Sequence, residues 1–193
     1  MRLAAIATLT ALSAAALAAC SHPTPTPYTN TDWGFSATFQ APPKVTETKA
    51  SATASHSLLV DSSAFGDDFS VNVVDAGGPT SSADQVLNAA PNALSQSMGI
   101  DVGAVTYVAT QGVTGREVRF DRSERPVMLM RIYFAGGKLY EVSADAAKGV
   151  TDPAAKAFLD SFKLTNPPPP PLPEPAANAA DSNATNTATN AAG

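Results

Sequence analysis

The chain is poor in the residues that most chemistry needs. Its 193 residues include one cysteine and two histidines, and 12 basic against 17 acidic side chains leave a net charge of −5. One cysteine excludes an intrachain disulfide and a four-cysteine zinc cluster. His22 and His56 supply little of the three or four ligands that zinc takes. The acidic balance argues against nucleic acid as a partner, which calls for a basic face. Charge is missing altogether between Arg2 and Asp32, and aromatics are missing from both ends. All 13 aromatics lie between Tyr28 and Phe162, whereas ten of the 16 prolines lie outside that interval. A packed core therefore fits into about 135 residues, flanked by non-globular segments.

Catalytic signatures are absent as well. No G-x-S-x-G turn raises a serine as nucleophile. His56 sits as Ser55-His56-Ser57 in a predicted strand, where adjacent side chains face opposite sides, so it reads as a surface or cross-strand residue. Asp61, Asp67, Asp68 and Asp75 lack the spaced loop and glycine of a calcium site and read as solvated turn carboxylates. Gly77-Gly78-Pro79 precedes a helix without the Lys/Ser pair of a phosphate loop and reads as a turn. We therefore assign no catalytic residue, no metal and no cofactor. The enzymatic alternative is a hydrolase acting through a carboxylate site that has no sequence signature.

The first twenty residues read as an address. Arg2 is followed by small and apolar residues from Leu3 to Ala19, the pattern of an export signal. The run is too short and alanine-rich for a retained span, and Ser21, His22 and a Thr-Pro repeat follow it at once. Its end, Leu17-Ala18-Ala19-Cys20, resembles the bacterial lipoprotein signal, the lipobox. That resemblance implies cleavage before Cys20 and transfer of a diacylglycerol to its sulfur, chemistry that needs a nucleophilic thiolate. A chain so acylated is held on a membrane, its first partner. Ser21, not being aspartate, points by the same resemblance to the outer membrane of a bacterial cell envelope, facing the periplasm.

The expected division is a signal peptide over 1–19, a lipidated Cys20 and Pro/Thr tether over 20–31, a domain over 32–165 and a tail over 166–193. Prolines 23, 25 and 27 favour an extended spacer with no core of its own, in which His22 is solvated. The tail opens with Pro167 to Pro171 and continues into Ala, Asn, Ser and Thr, with nothing to bury that would offset its ordering entropy.

Within the domain, Phe35, Ala37 and Phe39 alternate as a half-buried strand that Pro42-Pro43 ends. Ala54 to Val60 and Phe69 to Val74 read as two more strands. Ser81 or Ser82 then caps a helix with the stripe Val86, Leu87, Ala90, Leu94 and Met98, stopped at Gly99; Pro91 should kink or split it. A meander follows from Tyr107 through Val113–Phe120, Val127–Phe134 and Leu139–Val142, with turns near Gln111-Gly112, Arg122 to Arg125 and Gly136-Gly137. Met128, Met130, Ile132 and Phe134 alternate with Val127, Leu129 and Tyr133, so that strand is apolar on both faces and must be covered on both. Asp152 and Pro153 open a last helix carrying Phe158, Leu159 and Phe162. These elements define an α+β fold, a largely antiparallel sheet with helices packed on it.

Trp33-Gly34-Phe35-Ser36, Gly115-Arg116-Glu117-Val118, the Gly-Lys-Leu-Tyr ending at Tyr140 and Ala157 to Leu164 together resemble bacterial envelope proteins with the PsbP-like fold. The resemblance covers 32–165 and implies an α/β/α sandwich known mainly in binding and assembly roles, with no family site residue mapping onto this chain. Fold analogy does not itself assign a function.

Charge is uneven within the domain. From Ser21 to Thr110 there are two basic and eight acidic residues; from Gln111 to Thr165 there are nine and seven. Arg116, Arg119, Arg122, Arg125 and Arg131 crowd one hairpin, interleaved with Glu117, Asp121 and Glu124. Cross-strand ion pairing is the plainer reading. The functional one is a patch, Arg116, Arg119 and Arg131, for an anionic ligand or an envelope protein. A register that puts Arg116 and Arg131 on a face with apolar neighbours would set them apart from the turn arginines. The expected function is accordingly a membrane-anchored, non-catalytic binding or scaffolding module; an assembly factor for outer-membrane proteins is a further alternative.

Overall fold

A computed structural model describes residues 24–64, 66–76, 82–121, 127–146 and 152–167. The leader, Cys20, the turns expected at Gly77-Gly78-Pro79 and at Arg122 to Arg125, and the tail from 168 onward lie outside the described residues. In chain order the elements are β1 Thr26–Asn30, β2 Phe35–Phe39, β3 Lys44–Thr48, β4 Ser57–Ala64, β5 Asp67–Asp75, α1 Ala83–Met98, β6 Asp101–Thr110, β7 Val113–Asp121, β8 Met128–Ala135, β9 Lys138–Asp145, α2 Pro153–Ser161 and β10 Lys163–Leu164.

Seven strands form one antiparallel sheet in the order β3-β4-β5-β9-β8-β7-β6, and β1-β2-β10 form a small second sheet. The double-faced strand β8 lies inside the large sheet, as its sequence demands. Met128, Met130 and Ile132 join Val118 and Phe120 beneath Leu87 and Ala90 of α1. Tyr133 joins the opposite core with Phe35, Phe39, Phe69, Phe158 and Phe162, where α2 and the small sheet cover the other face. Phe158 lies 5.1 Å from Phe39 and 5.2 Å from Phe69, and Phe162 stacks on Tyr133 at 5.5 Å. Burying each such ring contributes about 1.5–3 kcal/mol before the ordering cost. The outcome is the expected α+β architecture, helix on one face and helix plus small sheet on the other.

Both helices begin where their caps predict. The Ser82 hydroxyl accepts from the Gln85 amide while the Gln85 side chain accepts from the Ser82 amide, and Gly99 closes α1 at φ +64°. Asp152 accepts from the Ala154 amide at 2.8 Å ahead of Pro153.

Three expectations need correction. Of the kink or split expected at Pro91, the split does not occur: α1 runs unbroken for 16 residues with Pro91 among its buried residues beside Leu87 and Ala90. Burial of the ring offsets the one hydrogen bond that proline removes. The fold also begins before Asp32: Thr26–Asn30, expected within the tether, pairs antiparallel with β2. Tyr28 holds it there, 5.9 Å from Phe35 and 6.2 Å from Phe39. Strand β3 was not anticipated, because every one of its residues is exposed and its pattern carries no buried face.

Candidate functional site

The three candidate arginines do not form one patch. Arg116 opposes Ile132 across β7 and β8, which places it on the face under α1 with Val118 and Met130. Arg131 opposes Glu117 and Arg119 opposes Leu129, both on the face of α2. The physical reason is the two-residue period of a strand: 116 and 131 occupy positions of opposite parity in this register.

On the α2 face, each arginine already has carboxylate partners. Arg131 Nε donates to Glu117 at 2.7 Å and its terminal nitrogen lies 2.8 Å from Asp160 of α2. Burial works against the Arg131 charge, but hydrogen bonds to Glu117 and Asp160 outweigh it and hold its pKa above the usual arginine value. On Asp160 a hydrogen bond from Lys156 one turn earlier in α2, joined by the one from Arg131, holds the carboxyl below the usual range. Arg119 Nε donates to Asp121 at 2.7 Å. Arg131–Glu117 is the cross-strand ion pair of the plainer sequence reading; Arg131–Asp160 instead joins sheet to helix, and Arg119–Asp121 lies within β7 itself.

Arg116 is built differently. It is only 3% exposed. One terminal nitrogen donates to the Asn88 side chain of α1 at 2.8 Å, and the other to the Gly115 carbonyl at 3.2 Å. Asp84, also of α1, lies 3.5 Å away. The guanidinium carbon stands 4.1 Å from the centre of the Tyr107 ring, its cross-strand partner on β6. Tyr107 is itself 75% exposed. A buried cation tied to a helix thus holds an exposed aromatic ring face-on from below, by an attraction that strengthens as the cation is desolvated. Next along the same face of β6, Val105 is 45% exposed. Sequence reasoning placed Tyr107 in a strand without singling it out; its pairing with Arg116 depends on a register that no short motif encodes.

The other face of β6 borders a hollow of about 260 Å³ lined by Ala104, Thr106, Glu117, Arg119 and Leu129. A larger one, about 530 Å³, lies at the opposite side of the domain among residues 50–56, Asp75 and Ala76. There His56 pairs with Glu47 at 2.7 Å and packs edge-on against Trp33 at 4.6 Å. The aspartates are spread along the sheet: Asp61 opposes Lys44 and Asp75 opposes Lys138. Among the described residues no three His, Cys, Asp or Glu side chains come together as a metal set. Among those residues, too, no helix is long and apolar enough to cross a membrane.

The fold and the helix arrangement define an α+β domain of PsbP-like architecture. Among solved structures, the solution structure of cyanobacterial PsbP (CyanoP) from Synechocystis sp. PCC 6803 superposes with a TM-score of 0.52 at 13% sequence identity, covering 72% of this chain and 91% of that one. At that identity the likeness is one of fold. No protein-family model matches the chain, and no curated protein does.

Proposed function

We propose that this chain is a lipid-anchored protein of a bacterial cell envelope whose PsbP-like domain is a non-catalytic binding or scaffolding module. The observation that carries the reading is Tyr107, three-quarters exposed yet held by buried Arg116. An exposed aromatic whose orientation is set in advance costs little further ordering when a partner covers it, which is the property of an interface hot spot. The anchor rests on Leu17-Ala18-Ala19-Cys20 and the uncharged run before it. With Ser21 following, the anchor faces the periplasm from the outer membrane. The partner is an envelope protein or an anionic ligand.

The test is photo-crosslinking in living cells with the probe placed beside Tyr107, followed by mass spectrometry. Capture should require both Cys20 and Tyr107, falling with Cys20→Ser because the anchor is lost and with Tyr107→Ala because the contact is lost. Capture unchanged by Tyr107→Ala would sink the reading.

One observation favours a rival. The His56–Glu47 pair stands beside the larger hollow, which Ser51 and Ser55 also line. A hydrolase working there would lose its turnover in His56→Gln and keep it in Tyr107→Ala, the reverse of the pattern expected of the binding module.

A further inference from the structure

The two edges of the large sheet are built to different rules. Strand β3 carries Lys44 and Glu47, is five residues long and follows Pro42-Pro43. Charge, shortness and proline are the usual devices that stop an edge from pairing with another chain. Strand β6 is ten residues long and has no charged residue or proline from Val102 to Thr110. Among the described residues no strand pairs with its outer side.

The geometry of the hairpin fixes which backbone groups turn away from β7. Gln111 and Gly112 have φ of 49° and 82°, the two positive values of a type I′ turn. Such a turn closes on a hydrogen-bonded pair, here Thr110 and Val113. Alternation then turns the N–H and C=O of Thr110, Val108 and Thr106 toward β7 and those of Ala109, Tyr107 and Val105 outward. The register shifts between Val102 and Val105, so regular backbone starts at Val105.

We propose that β6 pairs antiparallel with β6 of a second copy of this chain, centred on Tyr107. This rests on the binding reading above and names the partner of that surface. Pairing about Tyr107 uses Val105 to Ala109, the longest self-matched stretch that stays clear of both the shifted backbone and the turn. It sets all three outward residues opposite outward residues, Val105 against Ala109 and Tyr107 against its own copy. An aromatic pair across strands is favourable, and with no charge in the ladder no like charges meet at the two-fold axis. The joined sheet leaves only the guarded β3 edges exposed, which is what singles out a second copy over a foreign strand.

The test is sedimentation equilibrium of the full chain in density-matched detergent. A monomer–dimer equilibrium is expected, and Val105→Lys should weaken it about tenfold or more by placing like charges on the paired edge. Because Val105 is exposed, the Val105→Lys chain should keep the wild-type thermal midpoint when both are compared at concentrations low enough to be monomeric. In a Cys20→Ser background, which removes the sole native cysteine, mixed Thr106→Cys and Val108→Cys chains should form a disulfide faster than either alone. A chain that stays monomeric throughout, a dimer that Val105→Lys leaves intact, or a disulfide that ignores mixing each overturns the proposal. If the chain is monomeric while Tyr107-dependent capture of another envelope protein persists, self-pairing falls and the binding reading stands. If Tyr107→Ala changes neither assembly nor capture, both fall.

Discussion

The Arg116 guanidinium lies 4.1 Å beneath the ring of Tyr107, its cross-strand partner, so one of the most buried charges in the domain supports one of its most exposed aromatics. The two should answer differently to truncation. Arg116→Ala leaves Asn88 and the Gly115 carbonyl without their donor and opens a void, and we expect a loss of about 2–3 kcal/mol in urea unfolding. Tyr107→Ala removes an exposed contact and should cost about 1 kcal/mol or less. Equal losses for the two would contradict the asymmetry.

Gly115 is required by contact. A Cβ there would stand 2.5 Å from both the Ile132 carbonyl and the Tyr133 ring. Tyr133 is fully buried and stacked on Phe162, so it has no room to yield. Gly115→Ala should destabilise by about 2–3 kcal/mol, read by chemical denaturation. Gly136→Ala, in open space but at φ +59°, should cost about 1 kcal/mol from backbone strain alone.

Tyr140 ties the two sheets together, its buried hydroxyl donating to the Trp33 carbonyl at 3.1 Å. Tyr140→Phe keeps the ring and strands that carbonyl, for an expected loss of about 1 kcal/mol in thermal or urea unfolding. A neutral substitution would mean that the carbonyl finds water when the hydroxyl is gone.

Glu141 gives the domain a pH dependence of calculable sign. Burial raises its pKa, and the hydrogen bond from Asn72 at 2.8 Å opposes this only in part. Between the ordinary glutamate value and the raised one, the folded chain holds a proton that the unfolded chain has released. Stability therefore falls as pH rises through that window. Glu141→Gln cannot ionise, so its stability relative to the wild type should grow across the same window and level off above it. A difference independent of pH would show that Glu141 does not titrate in this way.

Much of the architecture was legible in the chain. The apolar double face of Met128 to Phe134, the Ser82/Gln85 box, Asp152-Pro153 and the turn glycines are local signals, each readable within a few residues. The misses share a cause. Strand β3 has no buried face to print a pattern, β1 is held by its pairing with β2 and by Tyr28 against rings seven and eleven residues along, and Pro91 is tolerated because it is buried. The arginine cluster was visible as a cluster, but its division between two faces was not.

Sequence by itself determined the periods, caps, breaks and composition of this protein, because those depend on neighbours in the chain and on how far side chains prefer to leave water. The tertiary structure alone decided register and partnership: that Arg116 meets Tyr107 and Asn88 while Arg131 meets Glu117 and Asp160, and that charged β3 ends one side of the large sheet while uncharged Val102 to Thr110 of β6 ends the other. A shift of one residue in a strand exchanges its two faces at no change in local pattern, so only the packing of the whole domain can choose between them.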